Sequence, residues 1–176
     1  MIDNQYIYEL DINLDLDYIA QLVKKTQYSR IPGIPRHHRR VVEDPYLTSV
    51  LTKYPFLNPI YNVYSTQPLN NIEVHVDAKR QCALNVPIEN TEGSHTIFYE
   101  YNSTPDLTYD DKRVYYKISS PVTETFRFTL TRPVLINNTV PHSVEHTGPN
   151  TRLILSWGIR QDVSFEDAKR LINEKQ

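Results

Sequence analysis

Hydrophobic spacing changes character along the chain. In LDLDYIAQLVKKTQ (residues 14–27), Leu16, Ile19, Leu22 and Val23 recur three and four apart, which predicts an amphipathic helix. Asp15 is placed to cap its start, and Lys24 and Lys25 suit its last turn. The stretch that follows, YSRIPGIPRHHRRVVEDPY, is broken by Pro32, Gly33 and Pro35 and reads as a loop, with five consecutive basic or histidine residues from Arg36 to Arg40. Beyond Pro55 the period shortens towards two. Segments 59–65, 70–77, 80–88, 94–101, 113–118, 122–131, 133–136, 142–146 and 151–159 are rich in Val, Ile, Tyr, Phe and Thr, and turn residues separate them. Helical spacing returns in VSFEDAKRLINEK, where Ser164 and Asp167 form a capping pair and Phe165, Ala168, Leu171 and Ile172 an apolar stripe. Many short strands in succession predict a mainly β sandwich, barrel or jelly roll, with a helix near each end. One domain is expected: a helix and loop region over 1–55, a β core over 56–160 and a closing helix over 161–176.

Composition narrows the function classes. A chain of 176 residues buries roughly 70% of the surface it exposes when unfolded, enough for one real core. With 39% hydrophobic and 23% charged residues, wholesale disorder is excluded. A formal charge of -2 argues against a dedicated nucleic-acid binder. Thirteen tyrosines and only four glycines suit strands, and neither glycine-rich phosphate-cradling motif is present. The single cysteine, Cys82, rules out an internal disulfide framework and a four-cysteine zinc site, and favours a reducing compartment. The acidic start lacks the pattern of a secretory signal, and no apolar run reaches membrane-span length. The expected location is the cytoplasm.

The chemistry concentrates in EVHVDAKRQCALNVPI (residues 73–88). His75 and Asp77 are two apart on a strand, so they point the same way. Alone they read as the wet face of a strand end. A third ligand has to come from elsewhere. His37 and His38 lie in the proline-bounded loop, and His95 has no second ligand type beside it. His142, after the turn-like NNTVP, and His146, four residues on, are the two choices on a late strand. His75, Asp77 and His142 would form the two-histidine, one-carboxylate triad that holds non-haem Fe(II) with three positions open. Zinc accepts the same donors, so the triad alone leaves the metal open.

One further residue makes the pattern specific. Asp77 is followed 65 residues later by His142, and Arg152 stands ten residues after that, opening TRLILSWGI. H-x-D, a distal histidine and a following strand arginine, in this order, resemble the Fe(II)/2-oxoglutarate-dependent oxygenases. The resemblance spans roughly 60–160 and implies a double-stranded β-helix, a jelly roll related to the cupins. It implies Fe(II) on His75, Asp77 and His142, with Arg152 pairing with the distal carboxylate of 2-oxoglutarate. A planar guanidinium suits that two-pronged capture better than lysine. Spacing from Arg152 favours His142 over His146, which is expected to support the site or lie at the surface.

The same resemblance makes Tyr64 and Asn85 candidates for hydrogen bonding the co-substrate, whereas Tyr61 reads as packing. Many members carry Arg-x-Ser. Here Ile154 stands two after Arg152, and Ser156, four along on the same face, is the remaining hydroxyl. Arg80 is a candidate for a substrate carboxylate or an exposed turn charge. The Arg36–Arg40 run is a solvated loop, or a lid or docking strip for an acidic substrate. The implied reaction consumes O2 and 2-oxoglutarate, releases succinate and CO2, and hydroxylates a C–H bond of a small-molecule or peptide substrate. Two other classes stay open: a cupin-like metal enzyme that does not use 2-oxoglutarate, and a non-catalytic β-sandwich binding module.

Overall fold

In the computed structural model the described residues are 2–12, 14–25, 36–40, 44–111 and 114–175, with 24–25 and 36–40 described by backbone alone. Among the described residues, twelve strands form two six-stranded sheets in which every pairing is antiparallel. The first sheet runs, edge to edge, β1 (Ile7–Glu9), β10 (Val134–Asn137), β5 (Cys82–Glu89), β12 (Arg152–Ile159), β3 (Leu57–Thr66) and β2 (Arg36–Arg40). The second runs β7 (Leu107–Asp110), β8 (Tyr115–Ile118), β4 (Asn71–Asp77), β11 (His142–His146), β6 (Ser94–Tyr101) and β9 (Val122–Thr129). Consecutive strands alternate between the sheets often enough to give the double-stranded β-helix expected, a jelly roll.

The described helices are α1 (Leu16–Lys25), α2 (Pro45–Lys53) and α3 (Phe165–Asn173). Asp15 accepts from the Tyr18 amide at 2.9 Å, and Ser164 accepts from Asp167 at 3.1 Å, so both expected caps form. The helix expected to reach Gln27 is described to Lys25, and Pro32, Gly33 and Pro35 lie outside the described residues.

The segment before the β core differs from the sequence reading in three ways. Residues 45–53 form a helix: Asp44 caps the Leu47 amide at 2.9 Å, and Pro45 occupies the first turn, where its missing N–H is not needed. Arg36–Arg40, read as loop, is an edge strand on β3, with His37 opposite Val63 and His38 opposite Asn62. An all-polar run has no apolar alternation to announce such pairing, and charge on an edge strand guards against further pairing. Ile7–Glu9 adds a short strand at the other edge. In the β core, Leu107–Asp110 was not anticipated and pairs with β8 as a hairpin.

Two apolar clusters lie on opposite faces of the first sheet. Its outer face packs Leu84, Val86, Leu155 and Trp157 against Ile19 and Val23 of α1, Leu47 and Val50 of α2, and Phe165, Ala168 and Ile172 of α3. Its inner face, inside the roll, meets the second sheet through Ile7, Val134, Ile136 and Ile154 against Phe98, Phe128 and Leu130. Among the described residues no helix is long and apolar enough to cross a membrane.

Candidate metal centre

β4 ends at Asp77, and its period of two places Glu73, His75 and Asp77 on one face. β11 runs antiparallel to it with His142 directly opposite His75, next to a register shift between His142 and Val144. A single strand pairing thus brings together residues far apart in sequence. One ligand atom from each of His75, Asp77 and His142 lies within 4.8 Å of the others. His75 Nε2 stands 3.9 Å from Asp77 Oδ1, and the two imidazole centroids are 4.3 Å apart. Both histidines are buried.

The tautomers follow from the neighbours. His75 Nδ1 lies 2.8 Å from the Glu73 carbonyl oxygen, and His142 Nδ1 lies 2.9 Å from that of Val140. A carbonyl only accepts, so each Nδ1 donates and each Nε2 keeps its lone pair for an electrophile. Burial, reinforced by His142, pushes the His75 pKa down to about 4, against the pull of Asp77. Burial also lowers the pKa of His142. Burial opposes ionisation of Asp77, but the Arg80 guanidinium and the two imidazoles outweigh it and hold the carboxyl below its ordinary value. At neutral pH the cluster is two neutral imidazoles and one carboxylate.

The opposite wall is built by the first sheet. On β12 the inward positions are Arg152, Ile154 and Ser156, since Leu155 and Trp157 belong to the outer cluster. Ser156 is flanked in register by Asn85 of β5 and Asn62 of β3, a polar row across three strands. Among the described residues the buried Asn62 and Asn85 Oδ1 atoms have no hydrogen-bond partner. Arg80 joins the walls: its Nε and Nη2 donate to Asp77 Oδ2 at 3.0 and 2.7 Å, and its Nη1 donates to Ser156 Oγ at 3.2 Å. The half-buried Tyr64 ring centroid is 6.0 Å from the Arg80 guanidinium carbon.

Arg152 is only 3% exposed, and its Nε has no hydrogen-bond partner among the described residues. Burial without a compensating anion pushes its pKa down to about 10. A desolvated guanidinium left unpaired is costly, and a bound anion would relieve it.

Several residues were not foreseen as part of the site. Tyr115, opposite Asp77 on β8, lies with its ring 4.4 Å from that of His75 and donates to Glu73 Oε1 at 2.9 Å. Glu73 also pairs with Lys117. Asn138 accepts the Asp77 amide at its backbone oxygen at 3.3 Å, while its own buried Nδ2 has no hydrogen-bond partner among the described residues. Asn62 had a visible signal, a polar residue between the apolar Tyr61 and Val63 of β3; Asn138, in a loop, had none.

Among the described residues, His95 and His146 are not part of the cluster. His146 is fully buried rather than at the surface, and its Nε2 donates to the Asn150 carbonyl at 2.7 Å, tying down the turn before β12. His95 contacts Thr129 Oγ1 at 3.0 Å. His37 and His38 lie on β2, whose side chains fall outside the description. Tyr61 packs on Trp157 at 6.2 Å between ring centroids, a structural place. Cys82 is buried with its thiol pKa pushed up to about 12 by burial, which makes it an inert packing residue.

The donor set fits a divalent ion of intermediate softness. Two imidazole Nε2 atoms and one carboxylate oxygen face one another at ligand spacing, which matches Fe(II) or another first-row ion with positions left open. Four of the orphaned buried polar atoms belong to Asn62, Asn85, Asn138 and Arg152, tied by register or hydrogen bond to this interior. Their polarity fits a small polar ligand beside the ion.

Neither a scan against protein-family models nor a search of curated protein sequences finds a match. Solved structures share the fold at low identity. An oxidoreductase of the 2OG-Fe(II) oxygenase family from Burkholderia pseudomallei superposes with a TM-score of 0.52 at 12% identity, over 83% of this chain and 77% of that one. Apo HygX from Streptomyces hygroscopicus gives 0.48 at 7% identity, over 85% and 78% of the two chains. Oxalate decarboxylase from Bacillus subtilis gives 0.37 at 10% identity, and this chain spans only 25% of its length. The first of these superpositions is a likeness of fold alone.

Proposed function

We propose that the chain is an Fe(II)- and 2-oxoglutarate-dependent oxygenase that hydroxylates a C–H bond of a small-molecule or peptide substrate. One observation carries the reading: the His75, Asp77 and His142 ligand atoms converge within 4.8 Å, and Arg152 is buried with no anion beside it among the described residues. Fe(II) binding alone would not require that arginine. A dicarboxylate with one end on the metal and the other on Arg152 explains both.

When bound, Fe(II) and 2-oxoglutarate supply the oxidising chemistry, in which decarboxylation to succinate and CO2 is coupled to transfer of an oxygen atom from O2 to a C–H bond. The chain's own groups set the conditions. His75 and His142, their Nδ1 protons engaged by backbone carbonyls, hold fixed lone pairs. Asp77 supplies the negative charge that balances the metal. Arg152 takes the distal carboxylate where low polarity strengthens a charge-assisted hydrogen bond. In this reading Asn62 and Asn85, in register beside Ser156, and Tyr64 orient the co-substrate.

The test is anaerobic titration of Fe(II) followed by 2-oxoglutarate, in wild type and Arg152→Ala. Wild type is expected to bind both, and the variant to keep Fe(II) while losing 2-oxoglutarate at least tenfold. Fe(II) binding with no response to 2-oxoglutarate in wild type would overturn the reading in favour of a metal enzyme of another class.

A further inference from the structure

Arg80 stands three residues after Asp77, in the turn between β4 and β5, and both of its inner nitrogens address the same carboxylate oxygen. Nε and Nη2 donate to Oδ2 at 3.0 and 2.7 Å, while Oδ1 is the oxygen that faces His75 Nε2 at 3.9 Å. The far end of the guanidinium is seated as well, on Ser156 Oγ at 3.2 Å across the roll and against the Tyr64 ring. Gly158 lies beside this arm: a Cβ there would make ordinary contact with Arg80 Cδ at 3.7 Å, whereas Asn58 Nδ2, at 2.8 Å, would have to move. Arg80 therefore differs from the surface arginines of this chain, such as Arg160 and Arg170, whose partners are exposed carboxylates. Its side chain is 25% exposed and that of Asp77 only 12%.

We propose that Arg80 is a positioning residue that keeps Asp77 a one-oxygen ligand. The inference rests on the metal-centre reading above and deepens it. A carboxylate chelates a metal through two oxygens only if both are free, and here one is claimed by two charge-assisted hydrogen bonds. With Oδ2 withheld, an octahedral ion on His75, Asp77 and His142 keeps about three positions for other ligands. A chelating 2-oxo acid needs two of these, which leaves one. With Oδ2 released, Asp77 takes one of the three, and the chelator fills the rest. Arg80 thus governs the number of open positions without touching the metal.

The experiment loads the protein with Mn(II) and counts its water molecules by solvent proton relaxation. Wild type is expected to show about three waters and Arg80→Gln about two, with Mn(II) binding retained in the variant. Equal counts in the two proteins would overturn the proposal. Failure of wild type to bind Mn(II) would instead sink the metal-centre reading, so the two failures are distinct. Should Arg80→Gln not fold, the infrared difference spectrum of wild type on metal addition decides. A wide splitting of the carboxylate stretches marks one-oxygen binding, and a narrow splitting overturns the proposal. A merely structural Arg80 would change thermal stability and leave both signatures alone.

Discussion

The two faces of β12 are made from one eight-residue strand and obey opposite rules. Outward, Leu155 and Trp157 are buried among helices, and the indole N–H is satisfied by the Asn58 carbonyl. Inward, Arg152 and Ser156 flank Ile154, and Arg152 is buried with its Nε unsatisfied. The outer face is complete without any ligand. Among the described residues the inner face is not, and Arg80 links its Ser156 to Asp77 of the cluster. One side of the strand is wholly apolar packing, and the other sets polar groups beside an apolar cluster.

The sharpest way to break this comparison is to exchange the consequences. Trp157→Ala, on the outer face, is expected to cost about 3–5 kcal/mol in urea unfolding and to leave metal affinity per folded molecule unchanged. A variant that lost metal affinity while folded would show that the faces are not separate.

On the inner face acid acts through His75. Unfolded His75 takes up its proton near pH 6.5, whereas folded His75 does so at about 4. Between those values the unfolded chain binds the extra proton, so the stability of metal-free protein falls as pH drops from 6.5 to 4 and levels off on either side. The contribution is on the order of 3 kcal/mol. It is measured as the difference between pH-stability curves of wild type and His75→Gln, and parallel curves would refute it.

Arg152→Met reverses the usual sign of a core substitution. Removing a buried, unpaired guanidinium is expected to raise the stability of ligand-free protein by about 1 kcal/mol. A loss of stability would reveal an anion already serving Arg152. The smallest effect belongs to the outer layer: Ser164→Ala removes the α3 cap and is expected to cost about 1 kcal/mol or less, with no change in metal or 2-oxoglutarate binding. Any change in binding would couple the helical layer to the site.

The sequence disclosed much of this division for physical reasons. The alternation Arg152, Ile154, Ser156 against Leu153, Leu155, Trp157 separates the two faces of β12, and the period of two aligns His75 with Asp77. What it left hidden depends on pairing between distant strands. No local pattern shows that Ser156 lies between Asn62 and Asn85, that Tyr115 meets His75, or that Arg80 closes on Asp77. The β2 edge strand stayed hidden because RHHRR has no apolar alternation. In contrast, the Asp44–Pro45 start of α2 was a readable helix signal inside a stretch that the preceding prolines marked as loop.

The most direct measurement is a crystal structure grown without oxygen in the presence of Mn(II) and 2-oxoglutarate, with the ion located by its anomalous scattering. The account expects one ion bound by His75 Nε2, Asp77 Oδ1 and His142 Nε2, and a carboxylate seated on the Arg152 guanidinium. An ion elsewhere, or a site that binds the ion while Arg152 stays without an anion, would contradict it.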